Sequence, residues 1–278
     1  MQASPDQHAQ LDARALAWLR ERVYLGADLD ETIAILRRQG LTEGAIIAGF
    51  EAVRPRVNAV RSGEMATPPL IRRAPANLRR IDAPGIDLFT LEDFLDAREC
   101  RQLIEVISGH LRPSQVAADH AAAGARTSQT AYLAHLASPV VDALDDKICR
   151  TLGIRAPYGE GMQAQRYDVG QEFKPHYDAF LPGSDAYRRQ AALRGNRTWT
   201  FMVYLNEGME GGATRFAEIG HAVAPRTGRA VLWNNLEANG APNLRTRHCG
   251  EPVTAGHKLI ITKWFRAIGD GPVFHDAT

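Results

Sequence analysis

The stretch RHCGEPVTAGHKLIITKWF, residues 247–265, ends in a run of strong β-formers whose side chains alternate. Read as a strand, it puts Lys258, Ile260, Thr262 and Trp264 on one face and Leu259, Ile261, Lys263 and Phe265 on the other. A lysine and a tryptophan directed into one barrel interior need a reason, because an unpaired buried ammonium is very costly. An anionic ligand whose carboxylate pairs with Lys258 supplies that reason. Upstream, the chain from Gly159 onward reads as short alternating strands separated by Gly/Pro turns. Before it, DFLDARECRQLIEVI (93–107) reads as a helix with Phe94, Leu95, Leu103, Ile104 and Ile107 on or near one side. The run 139–152 does the same with Val140, Val141, Leu144, Ile148 and Leu152. Helices first, then a run of strands, argue for an α+β domain with a β-sandwich or barrel core.

Residues 1–60 read as a separate helical N-terminal region. ALAWLRERVYLG places Leu16, Leu19, Val23 and Tyr24 along one stripe. Asp30 is placed to cap a second helix that stops at Gly40, and Thr42 precedes a third that Pro55 discourages from continuing. Residues 61–85 are rich in proline and arginine and poor in large apolar side chains, which predicts a linker or an extended segment lying on the next domain. The third unit is then 86–278.

The 278 residues carry 33 Lys+Arg against 32 Asp+Glu, a formal charge of +1, so no global field draws the chain to nucleic acid or an anionic membrane. No apolar run reaches the roughly 20 residues needed to span a bilayer, and the N-terminus lacks the basic and apolar regions of a secretory signal. Cys100, Cys149 and Cys249 are odd in number and far apart, so they form neither a disulfide framework nor a metal knuckle; a cytoplasmic, reducing setting is the simplest expectation.

A second informative stretch is RYDVGQEFKPHYDAF, residues 166–180. His176 and Asp178 are two apart, so in a strand both emerge on one face. An imidazole and a carboxylate on one face supply two thirds of the 2-His-1-carboxylate set that holds non-haem Fe(II) with positions left open. Of the nine histidines, His248 stands out by its surroundings, ten residues before Lys258.

Taken together, these pieces resemble the prolyl 4-hydroxylase branch of the Fe(II)- and 2-oxoglutarate-dependent dioxygenases. RYDVGQEFKPHYD is similar to the family's RY..G..F..H.D segment, RTWTFMVYLN to its R..T...YLN strand, and GGATRF to its GG.T.F turn. APRTGRAVLW and HCGEPVTAGHKLIITKW are similar to its P..G.A and H.G.PV..G.K elements, with the family's ten-residue His-to-Lys spacing. ARTSQTAYL (125–133) resembles the RTS segment that precedes the core. The resemblance runs from about 89 to 266 and leaves 1–85 uncovered.

It implies a double-stranded β-helix, or jelly roll, supported by helices. It also implies His176, Asp178 and His248 as iron ligands, with no catalytic group beyond them. Lys258 would pair with the distal carboxylate of 2-oxoglutarate, Tyr167 and Thr214 would hydrogen-bond to it, and Trp264 would line its pocket. Two arginines, Arg188 in the basic segment after the iron loop and Arg197 in the R..T strand, are tentative substrate contacts. The implied reaction is oxidative decarboxylation of 2-oxoglutarate by O2, coupled to hydroxylation of a C–H bond in a prolyl or other protein side chain, or in a small molecule, with ascorbate as a candidate reductant. A different reading keeps the metal and 2-oxoglutarate but not turnover, making the chain an interaction or sensor module docked through residues 1–60. Those residues could equally buttress the barrel or form a homodimer. Nucleic-acid demethylation is disfavoured by the balanced charge.

Overall fold

In the computed structural model, residues 11–24, 29–53, 67–114 and 126–275 are described. Positions 54–66, which include the start of the expected linker, lie outside them, as does the side chain of Tyr24. Three helices open the chain: α1 (Ala13–Tyr24), α2 (Leu29–Arg38) and α3 (Glu43–Val53). Thr42 Oγ1 accepts from the Ala45 amide 3.2 Å away, satisfying a donor that the first turn of α3 leaves open. Leu19, Val23, Leu36, Ile46 and Val53 form the core of this unit. Each fully buried leucine contributes about 1.5–3 kcal/mol, so so small a core is marginal by itself. Leu193, from the segment after the barrel's sixth strand, packs against it, and Arg189 pairs with Asp30.

The segment expected as linker is partly built into the barrel domain. Within 67–85, α4 (Pro69–Arg72) places Ile71 in the main core, and β1 (Leu78–Arg80) pairs antiparallel with β2 (Leu88–Leu91) at a sheet edge. One apolar anchor and one edge ladder suffice to hold a chain whose composition reads as solvated. The next helix, α5 (Ala97–Ser108), starts later than the apolar pattern suggests, because Asp96 and Glu99 form a capping box at its N-terminus. After β3 (Arg112–Pro113) and β4 (Gln129–Tyr132), α6 (Pro139–Leu152) ends on Gly153, whose φ of 71° suits the left-handed cap.

The remaining elements are strands joined by turns. They are β5 (Gln163–Asp168), β6 (Phe173–His176), β7 (Arg197–Tyr204) after the one-turn α7 (Ala192–Arg194), β8 (Glu210–Gly211), β9 (Thr214–Phe216) and β10 (His221–Val223). Then follow β11 (Ala230–Asn234), β12 (His248–Gly250), β13 (Val253–Ala255) and β14 (His257–Arg266). An eight-stranded sheet runs β1-β2-β11-β7-β14-β5-β4-β3, and a four-stranded sheet runs β10-β9-β12-β6. Every strand pairing in both is antiparallel. This is the expected α+β jelly roll with supporting helices.

Period-two alternation sorts the central strands between two cores. Trp199, Phe201 and Val203 of β7, Leu232 of β11, and Leu259, Ile261 and Phe265 of β14 join α5 and α6 in one core. Met202, Tyr204, Val231, Trp233 and Ile260 face the other way, into the space between the sheets. The turn before β11 needs glycine at 228: its φ is 77°, and a Cβ there would lie 1.9 Å from the Leu95 carbonyl oxygen.

Candidate metal and cosubstrate site

The parity of β14 sets the site. Lys258, Ile260, Thr262 and Trp264 all line one cleft of about 450 Å3, its open mouth included, between the sheets. Across it, β6 and β12 pair with His176 directly opposite His248. Asp178 is not in the strand, as the two-residue spacing suggested, but in a bend just past the end of β6. The bend turns its carboxylate back between the imidazoles. His176 Nε2 is 3.7 Å from Asp178 Oδ1, and His248 Nε2 is 4.0 Å from Asp178 Oδ2. One ligand atom from each of the three lies within 4.8 Å of the others.

Backbone carbonyls orient both imidazoles. His176 Nδ1 is 2.8 Å from the Lys174 oxygen, and His248 Nδ1 is 2.9 Å from the Thr246 oxygen. A carbonyl only accepts, so each Nδ1 carries a proton, and Nε2 is the ring nitrogen left to hold a metal at the centre of the trio. Phe173 stacks on the His176 ring at 3.6 Å, and Trp233 meets the His248 ring edge-on at 4.8 Å. Burial alone would push the Asp178 carboxyl up, but His248, His176 and Arg197 and the Thr200 hydroxyl together hold it below the usual range. Two imidazole nitrogens and one carboxylate, with no thiolate, fit Fe(II).

Lys258 is 1% exposed and donates to the Gly212 carbonyl at 2.8 Å, with its ammonium 4.4 Å above the Tyr167 ring. Among the described residues no carboxylate lies within ion-pair distance of it. Burial pulls its pKa down to about 8, against the smaller opposing pull of Cys249 and Glu251. The same cleft is lined by Trp233 and Trp264, whose buried indole N–H groups have no partner among the described residues. A buried cation and two orphaned donors around one cleft match a dicarboxylate acceptor.

Tyr167 and Thr214 also line the cleft. Tyr167 presents its ring face to Lys258, while the Thr214 hydroxyl is 2.6 Å from the Tyr204 hydroxyl, a neighbour that sequence reading did not single out. Arg126 was missed too: it lines the mouth and lies over the outer face of Phe173 at 5.0 Å. Its only sequence signal is the RTS segment.

The two arginines expected as substrate contacts are placed elsewhere. Arg197 is bonded through Nε and Nη2 to Glu160 at 2.8 Å each and stacks on Trp264 at 4.1 Å, so its guanidinium is already committed. Arg188, with a side chain 61% exposed, bonds to Asp185 and to the Gly183 carbonyl. Neither lines the cleft. Glu160 also accepts from Arg266 at 3.1 Å. Burial would raise the Glu160 carboxyl, but Arg197, Arg266 and Arg194 outweigh it and hold it at about 2. Its folded pKa is therefore depressed, so its stabilisation is complete above the ordinary glutamate range and is lost as pH falls toward 2. Glu160→Gln should flatten the acid limb of the stability–pH curve between about pH 4.5 and 2, measured by thermal melting; an unchanged acid limb contradicts this coupling.

The jelly roll, the His-Asp-His trio and the buried lysine define an iron- and 2-oxoglutarate-binding oxygenase site. In agreement, residues 162–266 match the model of the 2OG-Fe(II) oxygenase superfamily. The curated relatives the chain resembles are prolyl 4-hydroxylase subunits. It is 37% identical over 145 residues to prolyl 4-hydroxylase subunit alpha-1 of Rattus norvegicus, covering 52% of this chain and 27% of that one. It is 33% identical over 191 residues to subunit alpha-3 of Homo sapiens, covering 67% and 34%. The fold is similar to the viral collagen prolyl hydroxylase of Paramecium bursaria Chlorella virus-1, solved as a 2OG complex. There the TM-score is 0.53 and the identity 25%, over 68% of this chain and 100% of that one. The chain spans only about a quarter to a third of the length of these curated relatives.

Proposed function

We propose that this protein is an Fe(II)- and 2-oxoglutarate-dependent hydroxylase acting on a prolyl or other side chain of a peptide or protein. The observation that carries the reading is one cleft holding both a His-Asp-His trio within 4.8 Å and a buried lysine without a carboxylate. The family's Fe(II), when bound with 2-oxoglutarate, supplies the oxidative decarboxylation to succinate and CO2 that drives C–H hydroxylation. His176, Asp178 and His248 would hold the metal through Nε2, a carboxylate oxygen and Nε2. Lys258 would take the distal carboxylate, and the Trp233 and Trp264 N–H groups offer further donors. Phe173, Met202 and Ile260 give the cleft apolar walls. The named functions of the relatives support a peptide substrate, and ascorbate as reductant belongs to the same proposal.

A reducing, cytoplasmic setting is part of this proposal. It is supported by buried Cys100 and Cys149, whose thiols burial pushes up to about 11 and about 12.

The test is anaerobic reconstitution with Fe(II) and 2-oxoglutarate, which should give a metal-to-ligand charge-transfer band. Incubation of a proteome with protein, 2-oxoglutarate and O2 should then add single oxygen atoms at sites untouched by His248→Ala. A well-folded protein without the band removes the reading. A band without oxygen transfer to peptides favours a small-molecule substrate or a binding module.

A further inference from the structure

Thr200 and Asn235 form a buried chain behind the trio. Asp178 Oδ2 accepts from the Thr200 hydroxyl at 2.7 Å, and that hydroxyl is 2.8 Å from Asn235 Nδ2. Thr200 and Asn235 are both fully buried. The directions follow from chemistry alone. An ionised carboxylate only accepts, so Thr200 must give its single proton to Asp178, and its oxygen must then receive one from the Asn235 amide. That choice leaves Asn235 Oδ1 buried with no partner among the described residues. Buried orphan acceptors are costly and uncommon, so the fold spends stability on presenting the amide nitrogen here. The backbone holds Asn235 firmly in place: its N–H donates to Thr198 at 2.7 Å, and its carbonyl accepts from Asn243 at 2.9 Å.

The consequence lies in how many positions the metal keeps. Resting on the hydroxylase reading above, we infer that Thr200 and Asn235 are positioning residues that occupy Asp178 Oδ2 and so confine Asp178 to one ligand oxygen, Oδ1. Two imidazoles and one carboxylate oxygen leave a six-coordinate ferrous ion three positions, enough for a chelating 2-oxo acid and O2. An aspartate free to bind through both oxygens would leave two. Oδ1 suits the role, because it lies 3.7 Å from His176 Nε2, whereas Oδ2, 4.0 Å from His248 Nε2, is the oxygen that takes the Thr200 hydroxyl.

Thr200→Val keeps the shape and removes the proton donor; Thr200→Ser restores the donor; Asn235→Ala leaves the hydroxyl without its support. Each protein is titrated anaerobically with Fe(II), then with 2-oxoglutarate, following the charge-transfer band, and with Co(II) alone, whose visible spectrum reports coordination. Thr200→Val is expected to bind 2-oxoglutarate about 10–100-fold more weakly in its metal-loaded form, with a shifted band and an altered Co(II) spectrum. Thr200→Ser should lie near wild type, and Asn235→Ala should move the same way by less. Wild-type band position, 2-oxoglutarate dependence and Co(II) spectrum in Thr200→Val, with a cooperative melt, overturn the inference while leaving the hydroxylase reading intact. Absence of the band in the wild type itself overturns both. Should Thr200→Val not melt cooperatively, Asn235→Ala decides by the same readouts.

Discussion

His248→Ala binds Fe(II) more weakly than wild type by a factor above about 100, and with the metal goes the 2-oxoglutarate-dependent absorption. Losing an orienting partner of a ligand already costs 10–100-fold, and losing the ligand costs more. The expectation is specific because the trio is tight and each imidazole is held from behind by one carbonyl. Thermal melting provides the second readout. A divalent metal that binds only the folded chain stabilises it by about 2.7 kcal/mol at a hundred times its Kd. Wild-type protein should therefore melt higher with Fe(II) or Co(II) under anaerobic conditions, and His248→Ala should not. An equal metal-dependent shift in both proteins means that the ion sits elsewhere.

Lys258 carries the other large effect, with opposite consequences for binding and for stability. Truncating one member of a buried charge pair costs about 2–5 kcal/mol, so Lys258→Met should raise the 2-oxoglutarate requirement by roughly 30-fold to more than 1,000-fold. The same substitution removes a desolvated ammonium that has only a carbonyl and an aromatic face for company in the free protein. Without 2-oxoglutarate, Lys258→Met should then melt no lower than wild type, and higher if packing is kept. A large loss of stability with unchanged 2-oxoglutarate dependence would assign Lys258 to the core rather than to the ligand. The pH dependence has a definite sign. Lys258 loses its proton near 8 in the fold but near 10.5 as an ordinary lysine, so between these values the unfolded chain holds more protons. Over that interval this group makes the fold more stable as pH rises, while 2-oxoglutarate, which needs the ammonium, binds more weakly.

Much of this site was readable from local pattern. The alternation along 258–265 put Lys258 and Trp264 on one face, directed into the barrel interior, and Leu259, Ile261, Lys263 and Phe265 on the other; in the structure the first pair lines the cleft and Leu259, Ile261 and Phe265 lie in the core shared with α5 and α6. It could do so because strand periodicity is a property of neighbouring residues and survives whatever sheet the strand joins. The helix start at Thr42 was equally local, since a cap bonds within its own first turn, whereas the helix read from Asp93 begins only after the capping box at Asp96. The ten-residue interval from His248 to Lys258 and the HxD pair brought the iron and 2-oxoglutarate residues forward through resemblance to relatives, a different kind of information from periodicity.

Other features depend on chain segments far apart. Asp178 reaches the centre from a bend rather than a strand, and one of the two imidazoles it meets there is 70 positions away. Arg197 looked available for substrate until β7 brought it against Glu160, 37 residues earlier. Thr200 falls at the T of the R..T...YLN strand, but nothing in that motif ties it to Asn235, 35 residues on, and their hydrogen bond exists because β7 and β11 pair in one register. Periodicity follows from the covalent chain, which repeats along its length. Directional bonds among buried polar groups instead need donor and acceptor placed within a few tenths of an ångström, and only the closed pair of sheets fixes positions that finely.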